Sequence, residues 1–195
     1  MKKESFAGSD RRKHVRIVKA LPLELSLLSK EYRAVSKNIG KGGVLLELEA
    51  PEEVILSNLR SKECKMGLSM NLPGCSLKIK AEAEPVWTDD KGVMVGVRFA
   101  KIADDAKGEL ASYIAEMELK HGIKSVLAEI ARMDESEFDE NTSIRDDLGI
   151  DSLMAMEILV AVEKTYNIKT DEAKMFDVVT VGDMIELIKE YLDKK

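Results

Sequence analysis

The residues of this 195-residue chain that bear on chemistry are few: a serine in a marked setting, two histidines, two cysteines and a cluster of arginines. Ser152 stands in the stretch GIDSLMAMEIL, residues 149–159, at the head of an apolar helical run. His14 and His121 are isolated, and no Ser/His/Asp, Cys/His or metal-ligand spacing is present. The chain is therefore not expected to be an enzyme, and Ser152 reads as a point of attachment rather than a self-activating nucleophile. A helix start presents unpaired N–H groups and partial positive charge, which favours a phosphate ester on that oxygen. Simple helix capping by Asp151 or Ser152 accounts for the residue alone, but not for the wider stretch.

Arg11, Arg12 and Arg16 crowd the segment DRRKHVRI, and Gly40-Lys41-Gly42-Gly43 follows downstream in NIGKGGVLLEL. Arginine offers planar, bidentate hydrogen bonds to phosphate and stacks on purines. A glycine turn lets a backbone approach a ligand closely. The turn is not a Walker loop, because no Gly-Lys-Ser/Thr follows at the required spacing. Taken singly, the two features are a solvated basic tail and a hairpin turn.

Two kinds of element must position these residues. Up to about residue 103 the apolar pattern is β-like, in runs at 23–28, 43–48, 76–87 and 92–99. Pro73-Gly74 and Asp89-Asp90-Lys91-Gly92 read as turns, Pro85 as an edge or bulge, and Trp87 and Phe99 as barrel packing. Residues 51–62 are a helix start or a loop. Beyond residue 103 the period is helical, with Leu110, Tyr113, Ile114 and Met117 on one face and His121-Gly122 as a break. Four helices are expected after it: about 123–133, Ser152 to about Tyr166, 171–176, and one capped by Thr180 with Asp183. Helical spacing places Met156 with Leu153 and Val160 on the apolar face.

Charge divides the chain as well. The net charge of −6 splits into +3 over residues 1–120 and −9 over 121–195. The division predicts two modules, 1–120 and 121–195, the second repelling nucleic acid and attracting basic protein surfaces. With few clustered cations and no aromatic stacking surface, no nucleic-acid polymer is expected as partner. No apolar run reaches membrane-spanning length, and the start MKKESFAGSD lacks the apolar stretch of a secretory signal. Cys64 and Cys75, small semi-buried residues with no signal peptide, fit a reducing cytoplasm.

NTSIRDDLGIDSLMAMEIL, with Asp151-Ser152-Leu153 at a helix start, and TVGDMIELI at 180–188 closely resemble the acyl carrier protein family over residues 122–195. The resemblance implies a four-helix bundle whose Ser152 accepts a 4′-phosphopantetheine arm from coenzyme A through a phosphopantetheinyl transferase. The arm then holds acyl groups as thioesters for acyl-loading and acyl-transferring enzymes of fatty acid or polyketide biosynthesis. Partner contacts would come from Asp151, Leu153, Met154, Glu157 and Glu163, with Asp146 and Asp147 adding to the acidic field. Met154 stands where fatty-acid carriers often have an acid, which favours a specialised carrier.

Arg12-x-x-x-Arg16 together with Asn38-Ile39-Gly40-Lys41-Gly42-Gly43, and the stretch 84–102, resemble the PilZ domain family over residues 9–119. The resemblance implies a six-stranded antiparallel β-barrel with a C-terminal helix that binds the bacterial messenger cyclic di-GMP. Arg12 and Arg16 would grip phosphates and guanines, Arg11 would assist, and Asn38 would contact a guanine edge. Gly40 and Gly43 complete the site. The family's motif serine is Gly40 here. Its missing hydrogen bond to a charged phosphate weakens binding by about 1.5–3 kcal/mol, roughly tenfold or more; backbone N–H groups around Gly40 are the available replacement donors.

The combination implies an α+β two-domain protein, a cytoplasmic acyl carrier regulated by cyclic di-GMP. The alternative is a messenger-responsive adaptor whose carrier domain is never loaded.

Overall fold

A computed structural model describes residues 17–50, 57–59, 64–89, 91 and 93–195. Contacts divide the chain into two compact units, Met1–Ala115 and Glu116–Lys195.

The first unit is a closed antiparallel barrel. Its strands are β1 (Pro22–Leu27), β2 (Lys30–Gly40), β3 (Gly43–Leu48), β4 (Met66–Asn71), β5 (Lys78–Thr88) and β6 (Met94–Ile102), in the order β1-β2-β3-β6-β5-β4. Closure removes both sheet edges, so Pro85 marks no edge. Alternation of large apolar and polar residues sets the inside. Leu23, Leu25 and Leu27 of β1, Val44, Leu46 and Leu48 of β3, and Met66, Leu68 and Met70 of β4 are all buried.

Bulges in β2 and β5 break that alternation and matter more than the regular strands. In β2 the register shifts between Ser36 and Asn38. Ala34 and Ser36 point inward before it and Ile39 after it, so one extra residue, Lys37, changes the parity of the strand. In β5 a shift between Pro85 and Trp87 has the same effect. Ile79, Ala81, Ala83 and Pro85 are buried, and strict alternation would bury residue 87 next. The bulge turns it outward instead. Trp87 is 50% exposed beside exposed Val86, which corrects the expectation of a packing role. Phe99 is half-buried. Residues 57–59 are helical, with Leu59 buried; the rest of the ambiguous segment 51–62 lies outside the described residues.

Helix α1 runs unbroken from Asp104 to Ala131 and crosses the division between the units. The expected break at His121-Gly122 does not occur. Gly122 lies in the helix interior, where the hydroxyl of Tyr166 occupies the space a β-carbon would take. The glycine answers to a close side-chain approach and not to a helix end. Leu110, Tyr113 and Ile114 are buried in the first half of α1, and Leu119, Ile123 and Leu127 in the second.

The second unit closes with α2 (Ser152–Tyr166), α3 (Glu172–Met175) and α4 (Val181–Asp193). Ile158, Leu159 and Val162 of α2 and Val181, Met184, Ile185 and Ile188 of α4 join Leu119, Ile123 and Leu127 of α1 in one core. Asn167 ends α2 in a left-handed conformation, φ 51°. Thr180 and Asp183 form a reciprocal capping box at the start of α4. The long loop before α2 is pinned at both ends. Lys124 Nζ donates to the carbonyls of Glu135 (2.9 Å) and Phe138 (2.7 Å). Ile144 N donates to Val179 O at 2.9 Å and Val181 N to Thr142 O at 3.0 Å.

Candidate functional site

The setting of Ser152 is built by the three residues before it. Gly149 takes φ +65°, a left-handed conformation costly for residues bearing a β-carbon, and turns the chain sharply. Ile150 follows and anchors in the core. Asp151 is then extended and is the helix cap: its Oδ1 accepts from Met154 N at 2.9 Å. Capping therefore falls to Asp151, which leaves Ser152 as the first helical residue. Ser152 is exposed, and its hydroxyl makes no hydrogen bond among the described residues.

Ser152 and Asp151 stand at the mouth of a pocket of about 40 Å³, whose wall includes Ile150, Met156, Ile158, Met175 and Met184. No histidine lines it. Arg145 also reaches this mouth, a cation on an otherwise acidic surface that the sequence pattern had not singled out. Among the described residues no cluster of His, Cys, Asp and Glu is arranged to hold a metal ion. What the arrangement offers is a free primary hydroxyl at the positive end of a helix, next to a small pocket of mixed polar and apolar lining.

The surface around it is mixed. Leu153 is 69% and Val160 60% exposed, a stripe on the outer side of α2, and not the buried face expected for them. The core side of α2 is Ile158, Leu159 and Val162, while Met154 and Met156 are half-buried against the core. Phe176 and Val179 add exposed apolar area after α3, and no sequence period marks them, because the helix is a single turn. Asp146, Asp147, Asp151 and Glu157 are exposed. Glu163 is engaged within the bundle, where its Oε1 accepts from Thr170 N at 2.7 Å and from Thr170 Oγ1 at 3.0 Å. The backbone bond from Thr170 holds its carboxyl below the ordinary value. Asp147 likewise accepts from Ser143 N at 2.8 Å.

A second constellation forms on the barrel. Ile17 and Ile39 exchange backbone hydrogen bonds of 2.8 and 2.9 Å, so the segment directly after Arg16 in the chain lies against β2 between Asn38 and Gly40. Segments 22 residues apart in sequence are thereby joined by a backbone ladder. Arg11, Arg12 and Arg16 themselves lie outside the described residues. Asn38 is half-buried, and its Oδ1 is shielded from solvent with no hydrogen-bond partner among the described residues. Gly40 and Gly43 face each other across the Lys41-Gly42 turn. The crowding at Gly43 is with the barrel: a β-carbon there would lie 2.1 Å from Val97 O. The tight spot expected to serve a ligand serves the β3–β6 pairing.

Barrel and bundle define a chain of two classes, a receptor-type β-barrel followed by a carrier-type helical bundle. Residues 10–116 match the PilZ domain family, and residues 121–188 match the phosphopantetheine attachment site family. The chain belongs to the PilZ family and carries, after the barrel, an acyl carrier domain. The acyl carrier protein of Thermotoga maritima is 34% identical over 70 residues, 36% of this chain and 86% of the relative. That of Chlamydia caviae is 37% identical over 73 residues, 37% of this chain and 95% of the relative. Among solved structures, the Bacillus subtilis inhibitor of motility is 24% identical with a TM-score of 0.45, covering 56% of this chain and 51% of that one. The chain thus spans about half the length of that structure.

The prosthetic group of the carrier family is covalent 4′-phosphopantetheine. The residues present fit it: an exposed, unpartnered hydroxyl at a capped helix start, with open approach. Among the described residues no helix is long and apolar enough to cross a membrane.

Proposed function

We propose that this protein is a cytoplasmic acyl carrier, with Ser152 as the attachment point of the 4′-phosphopantetheine arm, and that cyclic di-GMP bound at the barrel regulates it. The observation that carries the reading is the free Ser152 hydroxyl at the start of α2, in the Asp-Ser-Leu setting of a carrier domain. Once attached, the arm supplies a thiol that holds acyl groups as thioesters. The protein's own residues do the rest. Asp151 fixes the helix start that presents the hydroxyl. Leu153, Met154 and Glu157 offer a partner enzyme an apolar contact ringed by negative charge.

For the barrel, Asn38 Oδ1 supports messenger binding. A buried amide oxygen without a donor costs about 1–3 kcal/mol, and the N–H groups of a guanine edge are suitable donors. The ladder between Ile17 and Ile39 supports the same reading, because it brings the segment that follows the arginine pair beside Asn38. Regulation then has a thermodynamic form: if the messenger alters the affinity of a partner enzyme for the carrier domain, that partner must alter messenger affinity by the same factor.

The test is intact-mass measurement after incubation with coenzyme A and a phosphopantetheinyl transferase, with and without cyclic di-GMP. The wild type gains one arm at a rate the messenger changes, and Ser152→Ala gains none. No gain in the wild type supports the unloaded adaptor instead.

A further inference from the structure

One polar side chain is fully buried among the described residues: Ser36 of β2, 0% exposed. Its hydroxyl is engaged in both directions. It accepts from Leu21 N at 2.9 Å and donates to Lys19 O at 2.5 Å. The backbone of Ser36 adds a third bond, its N–H donating to Leu21 O at 2.9 Å. Three residues on, Ile39 makes its two-way exchange with Ile17.

These bonds hold residues 17–21, a segment with little else to hold it. Val18 is exposed, Ile17 is half-buried, and Leu21 is its one buried apolar anchor. The bulge at Lys37 lies between the two attachment points and interrupts the regular ladder. A hydroxyl at position 36 supplies one acceptor and one donor where the bulged strand does not, which alanine or valine would leave unmet.

We infer that Ser36 is a positioning residue for the messenger site: it latches the segment leading to Arg16 and Arg12 onto β2 beside Asn38, and so sets ligand affinity without touching ligand. The inference rests on the messenger-binding reading above. A latched segment is already ordered before binding; an unlatched one must be ordered by the ligand, which lowers affinity.

Two measurements on the 195-residue chain decide the matter: amide hydrogen exchange in the free state, and calorimetric titration with cyclic di-GMP. Ser36→Ala is expected to speed exchange at Ile17 and Leu21, leave Leu68 and Ala81 protected, and weaken messenger binding at least tenfold. Ser36→Thr, which keeps the hydroxyl, recovers both. Ile17→Pro removes one ladder donor outside the core and weakens binding in the same direction, which covers the case of an alanine variant that does not fold. Loading at Ser152, measured without messenger, is unchanged throughout. Undiminished affinity in Ser36→Ala with faster exchange at 17 and 21 overturns the inference. So does an affinity loss accompanied by lost protection at Leu68 and Ala81 in every variant, which is general unfolding. Absence of binding by the wild type overturns the messenger reading itself, and the affinity role with it, while the exchange data still report whether Ser36 latches the segment.

Discussion

The hydroxyl of Tyr166, at the end of α2, sits 2.2 Å from where a β-carbon on Gly122 of α1 would lie, and 3.5 Å from Leu119 O, to which it donates. Two helices of the carrier bundle meet at that spot, and the glycine is the condition for the tyrosine. Burial pushes the Tyr166 phenol up from its ordinary value. Two effects oppose each other in Gly122→Ala. Helix propensity favours alanine by about 1 kcal/mol. Overpacking against a rigid ring costs about 1–3 kcal/mol. The clash wins, and Gly122→Ala lowers bundle stability in chemical unfolding. In Gly122→Ala/Tyr166→Phe the nearest remaining ring atom is Cζ at 3.4 Å, an ordinary contact. The double variant therefore recovers the propensity gain, and the cycle shows a large coupling.

Glu163 gives the bundle an acid-sensitive element. Its pKa is lowered in the folded state, first by the backbone bond from Thr170. Asp183 is lowered in the same way by the backbone of Thr180. A depressed carboxyl contributes stability that is present above the unfolded value and lost as pH falls through the folded one. Stability of the wild type should therefore decline as pH drops below about 4.5, the ordinary glutamate value. Glu163→Gln should be less stable at neutral pH, with a shallower decline over that window. Thermal unfolding across pH 2–7 measures both, and identical slopes in the two proteins would contradict the assignment.

Leu153 and Val160 are exposed, so shortening them removes little packing. Leu153→Ala/Val160→Ala should leave unfolding within about 0.5 kcal/mol of wild type. If the stripe is the apolar centre of a partner contact, the same variant lowers the transferase's kcat/KM for loading by roughly tenfold. Asp151→Ala separates from it by costing about 1 kcal/mol of stability through loss of the cap.

Asn38 and Gly40 make opposite predictions for the barrel. The Asn38 oxygen has no partner to lose among the described residues, so Asn38→Ala should fold at least as well as the wild type while binding cyclic di-GMP at least tenfold more weakly. Gly40→Ser restores the family's hydroxyl and should raise affinity by roughly tenfold. Calorimetry with both variants checks the pair, and equal affinities across the three proteins would remove the messenger from this face.

Strand β3 was legible to the residue, and β1, β5 and β6 to within a few, because each alternates large apolar side chains with polar ones. Strand β2 was not. Lys30, Glu31, Arg33 and Lys37 dilute its apolar signal, and the bulge after Ser36 shifts its inward positions from even to odd. The same local device in β5 turned Trp87 outward. Both bulges depend on pairing partners distant in sequence, which no short window contains. Gly122 failed for the related reason that its explanation lies 44 residues away in Tyr166. The start of α2 was readable, since glycine, aspartate and a following apolar period carry their own local physics. The exposure of Leu153 and Val160 was not, because a helix with apolar residues on several sides does not declare which one faces its neighbours. Ser36 gave no sequence signal at all; a serine in a strand becomes notable only when both of its bonds are seen.

The most direct test is peptide mapping of the protein recovered from cells that also express a phosphopantetheinyl transferase. A single modified peptide is expected, with the phosphopantetheine arm on Ser152 and acyl groups released from it by hydroxylamine. An unmodified Ser152 in that material, or an arm on another residue, would contradict it.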